Sequence, residues 1–201
     1  MVKKLEMMQR YDQDGVLVPV TLCQAAPCFV LGLRTIKKDG YLAVQLGAGK
    51  RRKTKKTKFV PEIIKEIRVD DEKDLPKLEQ EISVDQVFSP GLILKATGVS
   101  KGRGFSGVIK RWGFHSQPAT HGQSDRERAP GAIGAQTPGR VIKGKKMPGH
   151  YGNTKKTIKN LKVFSVDAKR EEILIKGALP GPRHGWLMLV VSSSQRAKNG
   201  C

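Results

Sequence analysis

Residues 99–155 read VSKGRGFSGVIKRWGFHSQPATHGQSDRERAPGAIGAQTPGRVIKGKKMPGHYGNTK, and the fold of the chain turns on what this stretch cannot do. Its glycines carry chain entropy that a packed element has to overcome, and its apolar residues do not alternate. Neither a helix nor a sheet is expected within it, and no core. Lys101, Arg103, Lys110, Arg111, Arg126, Arg128, Arg140, Lys143, Lys145, Lys146 and Lys155 stand against Asp125 and Glu127 alone. A stretch so charged repels itself and calls for a polyanion to complete it. Phe105, Trp112, Phe114, His115, His121, His150 and Tyr151 are interleaved with the cations. Flat rings stack on unpaired bases while Lys and Arg take phosphates, so the mixture points to structured RNA.

Both flanks of the stretch are strand-like. Upstream, Leu5–Tyr11 and Val16–Gln24 are joined by Asp12-Gln13-Asp14-Gly15, whose Asp-Gly pair suits a hairpin loop. Pro19 lacks a ladder donor and assigns the second run to an edge or bulged position. Cys28–Ile36 and Tyr41–Leu46 repeat the device around Lys37-Lys38-Asp39-Gly40. Phe59–Val69 reads as a strand, Asp70–Asp74 as an acidic turn, and Glu81–Phe88 and Leu92–Thr97 as strands flanking Ser89-Pro90-Gly91. Downstream, Leu161–Val166 and Glu172–Lys176 form a hairpin through Asp167-Ala168-Lys169-Arg170. Leu179-Pro180-Gly181-Pro182 then turns the chain into Trp186–Val191, a nearly continuous apolar strand expected to be buried.

Neither flank has strands enough to be stable alone. The expected fold is therefore mainly β: one small closed antiparallel β-barrel built from residues 1–98 and 156–195, with residues 99–155 inserted between its strands as a long irregular basic extension and 196–201 as a frayed tail. A structureless insertion of that length in a compact domain is normally functional.

Composition narrows the function. A chain of 201 residues and 22.1 kDa has a modest core, and a formal charge of +20 with a pI near 10.1 would destabilise it unless counter-charge is at hand. A membrane surface is the competing polyanion, but there is no amphipathic basic helix and no apolar run near the roughly 20 residues that span a bilayer. The N-terminus shows neither signal nor transit character, so a cytoplasmic location is expected. Cys23, Cys28 and Cys201 make neither a disulfide framework nor a zinc pattern, and no metal or cofactor is expected.

A second basic block, Gly47–Lys58, carries Lys50, Arg51, Arg52, Lys53, Lys55 and Lys56. Alone it reads as a solvated loop; beside the central stretch, an RNA-facing loop is the better reading. Gly102-Arg103-Gly104-Phe105-Ser106-Gly107 matches the dinucleotide pattern G-x-G-x-x-G, but the helix that should follow contains two glycines and no βαβ unit surrounds it. His115, His121 and His150 have no carboxylate pair or nucleophile at catalytic spacing. Asp125 and Glu127 alternate with Arg126 and Arg128 and are expected to pair with and orient them. Arg126, Arg128 and Arg140 offer planar forks to phosphate beside Pro and Gly, and Lys143, Lys145 and Lys146 a denser cluster of point charges. Trp112 either anchors the base of the insertion or stacks on RNA.

The runs GVSKGRGFSGVIKRWGF (98–114), PATHGQS (118–124) and RAPGAIGAQTPGRVIKGKKMPGHYGN (128–153) closely resemble the signature of the third large-subunit ribosomal protein, the universal L three family, in its bacterial form. The likeness extends to the hairpin at Asp12–Gly15, to DGYLAVQL (39–46) and to ILIKGALPGP (173–182). The resemblance implies a closed β-barrel like those of translation factors, lying on the outside of the large subunit. From it an extension would thread into 23S-type rRNA toward the peptidyl transferase centre, with its innermost turns within His121–Arg140. It implies early binding in subunit assembly, neighbouring ribosomal proteins as partners, and support of the catalytic centre without any catalytic group. Some bacterial members are methylated on a glutamine before Thr-Pro-Gly, here Gln136, in a turn one residue shorter than theirs. The competing reading is a free-standing RNA-modifying or RNA-cleaving enzyme that grips its substrate around His121 and Asp125.

Overall fold

The computed structural model describes residues 1–49, 60–70 and 75–191. The readings of the basic block from Lys50, of Phe59, of residues 71–74, of residues 192–195 in the barrel and of the 196–201 tail fall outside them. The chain is mainly β and separates into two compact units, one of residues 1–99 with 156–201 and one of residues 100–155.

The first unit opens with β1 (Val2–Tyr11) and β2 (Leu17–Ala25), paired from Val2↔Ala25 to Tyr11↔Leu17. Gly15, at φ +73°, donates its N–H to Asp12 O at 3.0 Å and takes the left-handed position the Asp-Gly pair calls for. Next come β3 (Cys28–Arg34), the helical turn α1 (Ile36–Asp39) and β4 (Ala43–Ala48), then β5 (Ile63–Arg68), β6 (Glu81–Ile82), the turn α2 (Val84–Val87) and β7 (Ile93–Val99). The second unit contributes β8 (Phe105–Ser106), α3 (Val108–Trp112) and β9 (Gly149–His150). The chain then returns through β10 (Lys155–Asp167), β11 (Glu172–Lys176) and β12 (Trp186–Val191).

Six strands close a ring in the order β1-β12-β7-β10-β11-β2, with β2 back against β1, and four more make a separate sheet in the order β5-β4-β3-β6. The ring joins strands from both ends of the chain: Val2 pairs with Leu187, and Ile173 with Cys23. Its interior takes alternate residues, Leu94 and Ala96 from β7, Leu161 and Val163 from β10, Ile173 and Ile175 from β11, and Leu187 and Leu189 from β12, with Val2, Cys23 and Ala25. Fully burying each larger aliphatic side chain is worth roughly 1.5–3 kcal/mol, and this one cluster holds both chain ends together. Thr21, the buried hydroxyl of β2, donates to Gly177 O at 2.6 Å, which removes the penalty of an unpaired polar atom.

The structure corrects several expectations. β2 is flanked on both sides, by β1 and β11, so Pro19 does not mark an edge. It is tolerated because β11 ends at Lys176, opposite Val20, and Pro19 O accepts from Gly177 N–H at 2.9 Å. An antiparallel residue turns its N and O to the same neighbour, so the missing donor points past the end of that ladder. The run Glu81–Phe88 is a two-residue strand followed by α2: Ser83-Val84-Asp85-Gln86 is a capping-box sequence, and Ser83 N–H donates to Gln86 Oε1 at 3.4 Å. β3 stops at Arg34, and Ile36 opens α1 instead of ending the strand. β12 is not buried throughout, since Leu187 and Leu189 point inward while its other residues are half exposed.

Candidate nucleic-acid interface

Within the second unit the two legs of the insertion are tied by backbone. Ser100 N–H donates to Thr154 O at 2.9 Å, Arg103 N–H to Tyr151 O at 2.8 Å and Tyr151 N–H to Gly104 O at 2.9 Å, and Phe105 and Ser106 then pair with His150 and Gly149. Gly152, at φ +79°, makes this approach possible: a Cβ there would lie 2.1 Å from Lys101 O. No other residue fits.

Helix α3 follows, stopped by Gly113 at φ +73°, whose N–H returns to Ile109 O at 2.9 Å. Val108 turns inward from its first position. From its last turn Arg111 donates Nη1 to Met147 O at 2.7 Å and Trp112 donates its indole N–H to the same oxygen at 2.9 Å. The guanidinium carbon of Arg111 lies 5.0 Å from the centre of the Trp112 ring and Lys146 Nζ 5.8 Å from it. The indole thus braces one leg of the insertion against the other. The expectation that the stretch forms no helix or sheet is corrected to this extent: glycine at the junctions, where positive φ is needed, permits a five-residue helix and a short ladder between them.

Beyond α3, Gln117 N–H and Ser116 Oγ both donate to Glu127 O, at 2.9 and 2.8 Å, closing a loop over a 3-10 turn at Ser124–Arg126. A second turn carries a cis Thr137-Pro138 bond with Gly139 at φ +66°. Residues 128–146 are exposed throughout.

The expected RNA-facing residues fall into three groups. Lys50, Arg51, Arg52, Lys53, Lys55 and Lys56 lie outside the described residues. Arg111 and Trp112 are engaged with Met147 O, and Arg103 stands 5.2 Å from the centre of the Tyr151 ring. Lys101, Lys110, His115, His121, Arg126, Arg128, Arg140, Lys143, Lys145, Lys146 and His150 are all exposed on the same unit. Among the described residues no cation of residues 100–155 forms an ion pair, since the ion pairs found lie in the first unit. That includes the pairing expected of Asp125 and Glu127 with Arg126 and Arg128. Asp125 Oδ1 accepts from Ser124 Oγ at 3.2 Å, and Glu127 contributes its backbone oxygen. The short loop uses these residues for its own backbone closure and leaves the guanidinium groups outward.

Sequence reading did not find the carbonyl of Met147 as the brace, because a backbone acceptor has no residue-type signal. Nor did it single out Lys156 and Lys159, exposed near the start of β10, although the run K-K-T-I-K-N signals them. Among the described residues no group of His, Cys, Asp and Glu could hold a metal ion. Cys23 and Cys28 are free and buried. Burial pushes the Cys23 thiol up to about 12, opposed by the Lys4 ammonium, and raises Cys28 as well.

A hydrogen-bonded β unit and an exposed insertion whose cations form no ion pair among the described residues define a class: strongly basic β proteins with a polycationic insertion. The family model of Ribosomal protein L3 matches residues 52–178. The "Large ribosomal subunit protein uL3" of Dehalococcoides mccartyi is 46% identical over 193 residues, covering 93% of this chain and 94% of that protein. Its namesake in Heliobacterium modesticaldum is 44% identical over 207 residues, covering 98% and 96%, and that of Herpetosiphon aurantiacus is 43% identical over 198 residues, covering 93% and 92%. The chain belongs to the Ribosomal protein L3 family. It is a structural component of the large ribosomal subunit and not an enzyme, and the reading of a free-standing RNA enzyme around His121 and Asp125 is set aside on that finding.

Proposed function

We propose that residues 100–155 form an arm that enters large-subunit rRNA, while the six-stranded ring is a closed barrel of the translation-factor kind that stays at the surface of the particle in the cytoplasm. The observation that carries this reading is electrostatic. The arm bears eleven Lys and Arg against Asp125 and Glu127, and among the described residues none of the eleven is ion-paired. In water these charges repel; along an RNA groove each displaces a condensed counterion, which supplies most of the affinity.

In this reading Lys101, Lys110, Arg126, Arg128, Arg140, Lys143, Lys145 and Lys146 neutralise phosphates, His115, His121 and His150 contact splayed bases or phosphates, and Arg103, Arg111 and Trp112 hold the root of the arm in shape, with the two arginines presenting charge at its sides. The basic block from Lys50 to Lys56 adds a second point of attachment. The arm supports early subunit assembly and the surroundings of the peptidyl transferase centre by occupying space and cancelling charge. Neighbouring large-subunit proteins cover parts of the ring. Gln136, exposed beside the Thr137-Pro138 turn, is where a methyl group would be added.

The test is cross-linking in cell lysate followed by sedimentation. Co-sedimentation with the large subunit in high salt, with adducts to its RNA within residues 100–155, is the expected result. A chain that stays in the light fractions overturns it.

A further inference from the structure

Phe105 is 81% exposed, more than any other large apolar side chain among the described residues. Its position is fixed by pairing. In a ladder successive side chains face opposite sides, and here Ser106 is turned in, buried, with its hydroxyl donating to Arg103 O at 3.3 Å, while Phe105 is turned out. The reverse order would have buried the ring and hydrated the hydroxyl, so burial does not explain the arrangement. Directly opposite Phe105 stands His150, also exposed, and such cross-strand pairs share a face with Cβ atoms roughly 5 Å apart.

The surroundings suit a flat guest. A Cβ added at Gly104 or Gly107, on either side of Phe105 and Ser106, would meet nothing within 4 Å. Two other rings of the unit are engaged, Trp112 under Arg111 and Lys146 and Tyr151 under Arg103, whereas among the described residues no cation stands over Phe105. The backbone is held from Arg103 to His150 by the hydrogen bonds of the two legs. In sequence Phe105 stands among Lys101, Arg103 and Lys110, with His150 as its cross-strand partner and no carboxylate between residues 100 and 124. That setting disfavours an apolar protein surface, which would need a continuous apolar patch, and favours a π-faced group attached to an anionic chain.

We infer that Phe105 and His150 form a preorganised stacking platform for an unpaired nucleobase of the rRNA. This rests on the RNA-binding reading proposed above and adds to it a base-stacking site distinct from the phosphate contacts. Stacking is tolerant of base identity, so the platform captures any base the RNA leaves splayed at that point.

The experiment uses the full chain and a large-subunit rRNA transcript, and measures affinity across a salt series together with nucleotide adducts after ultraviolet cross-linking. For Phe105→Leu, which keeps an apolar side chain but removes the flat face, the expected result is about tenfold weaker binding, an unchanged salt slope, and loss of the adduct at the peptide around position 105. Phe105→Tyr should restore both affinity and adduct. Wild-type binding with Phe105→Leu equally tight and equally cross-linked overturns the platform and leaves the RNA reading standing. A cross-link from position 105 to a protein neighbour in the assembled subunit also overturns it. Failure of the wild type to bind RNA in a salt-dependent way removes the RNA reading itself.

Discussion

Trp112 donates its indole N–H to the carbonyl oxygen of Met147 at 2.9 Å, so a side chain at the end of a short helix closes a loop of 35 positions. The same oxygen takes a second bond from Arg111. Trp112→Phe keeps a ring for the cations and removes the donor. Because the site is partly exposed, the loss should be near 0.5–1 kcal/mol of local stability. It should appear as faster amide exchange and faster proteolytic nicking within residues 113–147, with the thermal midpoint of the ring unchanged. Equal protection in mutant and wild type would count against the brace.

Gly152 answers Lys101 across the legs. Gly152→Ala places a methyl against a backbone oxygen and also forces a left-handed conformation on an L residue. The legs must part, at a local cost above about 2 kcal/mol. Reconstituted particles should show poor incorporation of the variant on a sucrose gradient while its far-ultraviolet circular dichroism stays native.

Ile173 is fully buried in the ring. Ile173→Ala should destabilise the first unit by about 2–5 kcal/mol. Urea unfolding is the measurement, and a shifted midpoint with an unchanged slope is the expected form. A shift below half a kcal/mol would mean that the ring is not one packed core.

The thiol of Cys23, held up to about 12 by burial, stays protonated in the folded state where an unfolded thiol ionises near 9.0. The stability tied to this group is therefore intact below pH 9 and falls as pH rises from 9.0 towards 12. In a Cys201→Ser background, alkylation at pH 8 should be negligible for native protein and rapid in denaturant. Native labelling at the denatured rate would contradict the burial.

If up to about ten phosphates are neutralised, affinity for large-subunit RNA should drop by about three to five decades between roughly 50 and 200 mM salt. Replacing Lys143, Lys145 and Lys146 by Gln should flatten that slope by two to three units. A slope unaffected by the triple change would exclude those side chains from phosphate contact.

The strand regions were legible because period-two burial writes itself into composition: Ile173 and Ile175, or Leu94 and Ala96, announce an inward face. Pro19 misled because its effect depends on what lies beside it, a strand that ends at Lys176. The run Glu81–Phe88 misled for another reason: its Ser83-x-x-Gln86 capping box is written in the sequence, but it competes there with a strand-like pattern. In the arm, charge and rings were plain, but which rings are spoken for was not. Trp112 and Phe105 look alike in sequence, and only the position of Met147 O distinguishes a brace from an open face.

The chain leaves the ring at the end of β7 and re-enters at the start of β10, and those two strands are neighbours, with Thr97 Oγ1 and Thr157 Oγ1 2.9 Å apart. To the ring, everything between is the connection of a hairpin. Loop-closure entropy grows only with the logarithm of length, so enlarging a four-residue turn to the span of residues 100–155 costs about 2 kcal/mol. The arm can therefore lengthen, shorten or be exchanged with little penalty to the domain that bears it. Evolution is free to refit this junction, and an engineer can use it as a graft point.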